Sequence, residues 1–247
     1  MATRATNGAI ARTTETIFER LLDEILSGSY PAGSRLPPER ELAATLDASR
    51  ASLREAFARL SAWGLIESRR GSGVSVRPPE RWSFRVLPRL LERTGQAIDV
   101  SMVEDLLATR RSLALALLAD VPPRLAGRNL SVVRQRIETA WAARNAVNDF
   151  VRCDFDVLRQ VLQEAELWPA LWLLNDLGDV YLQLATRLTD VAFLSPSYRE
   201  TLLDAVTALE AGHSKRALRL LCEYLEDNDR RRIDQLARSK NKRKVAR

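Results

Sequence analysis

Arg50 and Arg54 stand four residues apart in SRASLREAFARL, and their guanidinium groups have the chemistry to read a nucleic acid. Such a group forks onto the O6 and N7 acceptors of guanine or onto phosphate oxygens. Ser49 and Ser52 lie beside them, and Arg40 lies upstream in PPERELAATL; all three suit phosphate contacts. Further on, LIESRRGSGVSV carries Arg70, Gly71 and Ser72 at a turn, a basic tip suited to phosphate or to the minor groove.

Particular elements must present these groups. Two prolines open the first helix, where a missing N–H costs nothing, and Glu39 and Glu41 sit at its positive end. Asp47-Ala48 breaks the run. Ser49 then caps a second helix, with Ser52-x-x-Glu55 expected as a capping box one turn later. Leu53, Ala56, Phe57 and Leu60 recur at three- and four-residue spacing, so one face packs inward while the N-terminal end stays exposed. Gly64 ends that helix in left-handed geometry. A hairpin follows, with Leu65 expected opposite Val74 and Val76. Upstream, Ile17, Leu21, Leu22, Ile25 and Leu26 mark a bracing helix from Thr14 to Gly28, preceded by an arm over residues 1–13.

LPPERELA followed by SRASLREAFARLSAWGLIESRRGSGVSV resembles the winged helix of the GntR transcription factors. The resemblance implies a DNA-binding domain over 14–77 and a homodimer on a short palindromic operator in double-stranded DNA. It is then followed by a linker and short helix over 78–98. From residue 99 the spacing predicts helices near 100–120, 129–147, 149–166, 168–192, 197–211 and 214–238, with no strand signal. The expected fold class is mostly α: a winged helix-turn-helix, then an all-α bundle over 99–238 and a basic flexible tail over 239–247. A helical second half behind that winged helix looks like the FadR branch, with its FCD type of effector domain. Trp141, Trp168, Trp172, Tyr181 and Phe193 read as core aromatics.

Domains of that type often hold a metal on one Asp and three His. This chain has one histidine, His213, so the resemblance implies no metal here, and no cofactor is expected. The first ligand helix matches DFDVLRQVL, where Arg159 takes the histidine position with Asp154 upstream; Tyr224 stands at a later one. Arg110 matches an arginine that faces the effector pocket. Arg110, Asp154, Arg159 and Tyr224 are therefore the candidate ligand site for a small anionic metabolite, such as an organic acid or acyl-CoA. The competing reading is that these arginines form buried ion pairs with Asp154, Asp156 or Asp105 and bind nothing.

Composition bounds the rest. The 247 residues hold 38 Lys and Arg against 32 Asp and Glu, a formal net charge of +6. Residues 238–247, RSKNKRKVAR, carry six bases and no acid, so the surplus lies in that segment. Every apolar run is interrupted by charge and no leader pattern opens the chain, so no membrane contact is expected. Cys153 and Cys222 form no ligand spacing and suit a reducing cytoplasm, as small buried hydrophobes. No GxSxG motif, Cys–His pair or phosphate-cradling loop is present, so no enzyme chemistry is expected.

Overall fold

The computed structural model describes residues 3–69, 71–92, 100–187 and 195–245, and the side chains within 14–69, 71–91, 101–185 and 195–238. Two compact units divide the chain, Met1–Arg93 and Thr94–Arg247.

The first unit contains α1 (Thr3–Leu26), α2 (Glu39–Thr45), α3 (Arg50–Ala62), β1 (Ile66–Arg69), β2 (Gly73–Val76) and α4 (Leu87–Glu92). Short 3-10 turns at Pro79–Arg81 and Phe84–Val86 precede α4. The apolar stripe of α1 packs on that of α3, and Phe18, Leu21, Leu22, Leu42, Leu53, Leu60 and Leu65 are buried together. Arg59 covers the Phe18 ring at 3.9 Å, and Trp63 meets the same ring edge-on at 4.9 Å. These contacts fix the tilt of α3.

Several expectations need correction here. α1 begins at Thr3 rather than Thr14, because no proline interrupts residues 3–13 and Gly8 costs only about 1 kcal/mol in a helix. The hairpin pairs Ile66 with Val76 and Ser68 with Val74, so Leu65 is not the cross-strand partner. Its carbonyl instead accepts from the Arg77 amide at 2.8 Å. Residues 33–36 also join the wing: the Gly33 amide donates to Val76 at 2.9 Å, and the Leu36 amide donates to Val74 at 2.9 Å. The stretch expected as a linker packs onto this unit. Arg89 holds Asp23 through two bonds of 2.8 and 2.6 Å, and Val86 enters the core.

The second unit is all helical: α5 (Val100–Leu118), α6 (Pro122–Leu125), α7 (Ser131–Ala142), α8 (Val147–Glu164), α9 (Trp168–Arg187), α10 (Tyr198–Glu210) and α11 (Ser214–Val245). α7 packs on α8 and α10, α8 on α9, α10 on α11, and α11 on α5. Val133, Ile137, Leu162, Ala208 and Ala217 are among the buried residues at the centre. α8 and α9 approach closely at Gly178, where an added Cβ would lie 2.9 Å from the Phe155 ring. Phe155 then stacks on Tyr181 at 5.5 Å. α11 continues to Val245, through a segment expected as a flexible tail; bases at a helix C-terminus complement its dipole. Trp168 and Trp172, expected in the core, are 46% and 62% exposed, and both cysteines are half-buried. Phe193 lies outside the described residues. Among the described residues no helix is long and apolar enough to cross a membrane.

Candidate nucleic-acid interface and bundle cluster

The turn between α2 and α3 is built by Asp47, at φ 49°, and by the Ala48 amide, which donates to the Ala43 carbonyl at 2.9 Å. Ser49 follows in extended geometry, and its Oγ accepts from the Ser52 amide at 3.0 Å, capping α3 as expected. The second half of the expected cap does not form. Ser52 is 2% exposed, its hydroxyl lies 2.9 Å from that of Ser49, and Glu55 accepts instead from the Thr14 hydroxyl at 3.0 Å. Ser52 therefore braces the cap and offers no surface to a phosphate. The reason is helical phase: Ser52 lies one turn before Ala56 on the same face, and both are buried.

Arg50 is exposed in the first turn of α3, and Arg40 is exposed in the first turn of α2. Arg54 is also exposed, but its Nε donates to Glu39 at 2.9 Å. A solvent-exposed pair of this kind contributes at most about 1 kcal/mol, so Arg54 can exchange it for a phosphate or base. At the wing, Gly71 and Gly73 take φ of 79° and 80°, and the Ser72 amide donates to Arg69 at 2.9 Å. Gly71 and Ser72 are exposed; Arg70 lies outside the described residues. Arg35, not singled out from sequence, is exposed and bridges the backbone of Ser75 in β2. That pairing is non-local, so no sequence period announces it.

The second cluster lies within the bundle. One carboxylate, Asp229 of α11, is 2% exposed and bonds Arg110 at 2.6 Å and Arg111 at 3.1 Å, both of α5. Asp154 of α8 accepts from the Tyr198 hydroxyl at 2.9 Å. Tyr198 is itself 1% exposed and meets Tyr224 edge-on at 6.1 Å. Burial raises the Asp154 pKa above the usual carboxylate range, against the opposing pull of the Tyr198 bond and of Arg110 and Arg232. Burial and then repulsion from Arg110 lower the pKa of Arg232. For Arg110 burial also works downward, but Tyr181 and Asp229 outweigh it and the pKa rises. Burial followed by the Asp154 charge pushes Tyr224 and Tyr198 upward. Arg110 Nε and Asn228 Oδ1 are buried with no hydrogen-bond partner.

Of the four candidate ligand residues, Arg110, Asp154 and Tyr224 come together and Arg159 does not. Arg159 is 48% exposed and pairs with Asp156 at 3.5 Å. Five residues along a helix turn the side chain by about 140°, so Asp154 and Arg159 cannot share a face. Sequence reading missed Asp229, Arg232, Tyr181 and Tyr198 as members. The signal for two of them was present in DNDRRRIDQL, where Asp229 and Arg232 repeat at helical spacing with the apolar Leu236.

The raised Asp154 pKa gives a signed prediction. The folded chain holds the proton more tightly than the unfolded chain, so this group's contribution to stability falls as pH rises above its unfolded value, near 3.8. Asp154→Asn keeps an acceptor for Tyr198 and removes that dependence. Its melting temperature, measured from pH 4 to pH 8, is expected to rise relative to the parent chain as pH increases.

The first unit has the layout of a winged helix-turn-helix, and the second is an all-helical bundle. Residues 13–76 match the family model described as bacterial regulatory proteins, gntR family. That segment is a gntR-family helix-turn-helix domain. The HTH-type transcriptional regulator Mce2R of Mycobacterium tuberculosis is 44% identical over 97 residues, covering 39% of this chain and 40% of that protein. A putative L-lactate dehydrogenase operon regulatory protein of Escherichia coli is 36% identical over 103 residues, covering 41% of this chain and 40% of that protein. The chain thus spans about two fifths of the length of the curated relatives it matches. Among solved structures, Lar, described as controlling expression of the Listeria monocytogenes agr system, superposes with a TM-score of 0.56. That likeness covers 89% of this chain and 95% of that one at 14% identity, and shows the fold.

Proposed function

We propose that the chain is a sequence-specific, DNA-binding transcription regulator of the FadR-like, FCD-type branch, acting in the cytoplasm as a homodimer and a repressor. Two recognition helices meet a short palindromic operator, as two-fold symmetry requires. The observation that carries this reading is the exposed Arg50 at the capped N-terminus of α3, inside a gntR-family domain. Arg50 and Arg54 read bases; Arg40, Ser49 and the wing around Arg70, Gly71 and Ser72 hold the backbone. The regulator names of the partial relatives agree with this assignment.

The bundle cluster is the effector site in this reading, and its ligand is a small anionic metabolite. Three guanidiniums, Arg110, Arg111 and Arg232, lie with two carboxylates, Asp154 and Asp229, and burial raises the Asp154 pKa. The buried Arg110 Nε, which has no hydrogen-bond partner, favours an anion. Such a ligand must bind one arrangement of the two winged helices better than the other to change operator affinity. A second reading has a specific observation behind it: Asp229 already pairs with Arg110 and Arg111. The bundle would then serve dimerisation alone. Melting and DNA affinity measured with a panel of organic acids and acyl-CoA separate the two.

Arg50→Ala tests the DNA reading. Loss of a base-reading arginine is expected to cost about 1–3 kcal/mol on a selected operator duplex while leaving random duplex nearly unchanged. Equal weakening on both, measured by fluorescence anisotropy, would reassign Arg50 to the backbone.

A further inference from the structure

The exposed face of α9 has a composition unlike its surroundings. Trp168, Trp172, Asp176 and Asp179 follow at i, i+4, i+8 and i+11, which places them in one stripe, with Leu173 alongside. Trp168, Trp172 and Leu173 are 46%, 62% and 45% exposed. Asp176 and Asp179 are exposed too, and among the described residues neither has an ion-pair partner. No Lys, Arg or His occurs anywhere in residues 160–186. The nearby Arg124 and Arg128 direct their guanidiniums to the carbonyls of Ala165 and Glu164. An aromatic stripe that ends in carboxylates suits a polybasic partner. Lys and Arg stems lie along indole faces, their cationic heads attract the ring and then the acid.

The chain carries such a segment. Residues 238–247 hold six bases and no acid, at the end of a helix that runs unbroken from Ser214 to Val245. Among the described residues, Leu236 is its last buried side chain. A continuous helix cannot fold back on its own bundle without breaking hydrogen bonds of the backbone. We propose that the α9 stripe of one copy is the docking surface for the polybasic end of α11 from a second copy. Charge complementarity selects that occupant: the α9 stripe is acidic, and positive charge is concentrated in 238–247. The proposal names a surface for the dimer and depends on neither the DNA nor the effector reading.

Mixed full-length chains, one isotopically heavy and one light, treated with a zero-length carbodiimide cross-linker test it. The expected products are heavy–light cross-links from Lys240, Lys242 or Lys244 to Asp176 or Asp179. Their yield should fall about five-fold in Trp172→Ala, whose exposed position leaves the fold intact. It should also fall as salt rises from about 0.05 to 0.5 M, because exposed charges are then screened. A second variant, Lys240, Lys242 and Lys244 all changed to Gln, should keep the parent melting temperature and lower the weight-average mass in sedimentation. Cross-links confined to like isotopes, none at all, or an unchanged yield in Trp172→Ala would overturn the proposal. So would an unchanged mass in the glutamine variant. Operator binding by the cross-linked and uncross-linked chains is read separately, so failure here leaves the DNA assignment standing.

Discussion

Asp229→Ala is expected to destabilise the helical unit by about 3–5 kcal/mol, the scale for removing one partner of a buried ion pair. The Asp229 side chain is 2% exposed and bonds two arginines of α5 at 2.6 and 3.1 Å. Without it, Arg110 and Arg111 lose the carboxylate that both of them bond. Asp154 is already engaged, accepting from the Tyr198 hydroxyl at 2.9 Å. The loss corresponds to a fall in melting temperature on the order of 10 °C. Circular dichroism, which is dominated by the helical bundle, follows it. The double variant Asp229→Ala with Arg110→Met should recover part of the loss, since it removes a stranded charge as well as its partner. If Asp229→Ala melted within a degree of the parent, the arginines would be solvated and the cluster would not be a buried charge network.

The second large effect is at Gly64, where the chain leaves α3 for the wing. Its φ is 76°, and an added Cβ would lie against the Arg81 carbonyl oxygen, too close for any side chain. That carbonyl is backbone, held by the 3-10 turn at Pro79–Arg81 and by the Ser83 amide, which donates to Trp63 at 2.8 Å. Gly64→Ala must therefore bear both left-handed strain of about 1–2 kcal/mol and an overpacking cost of about 1–3 kcal/mol. The expected result is partial unfolding of the first unit and loss of all DNA binding, specific and random alike. Limited proteolysis around residues 64–83 would register the first. A variant that melted like the parent and bound DNA normally would mean that the 77–83 segment is not seated on α3.

These two positions differ in how far the sequence announced them. Gly64 was readable as a helix stop, because a glycine after an amphipathic run is a local signal. Its second duty, making room for Arg81, involves a partner seventeen positions on and has no local signature. The same division runs through the interface. Ser49 was legible as a cap, whereas Glu55 went to Thr14 rather than to the expected capping box, a choice made by the packing of α1 on α3. In the bundle, helix spacing located the elements but not their mutual register. Arg110 was found through family resemblance, and Asp229 and Tyr198 were missed because they meet α5 and α8 only after the helices pack. Arg159 was placed with Asp154 by sequence position, although helical phase separates them.

Selection of bound duplexes from a random-sequence library by the full chain, at near-physiological salt, tests the central claim most directly. The account predicts enrichment of a short palindrome, with Arg50→Ala losing the enrichment while still retaining random duplex. Recovery of unenriched DNA by both chains would contradict it, leaving the basic segment at 238–247 as the source of affinity and α3 without a reading role.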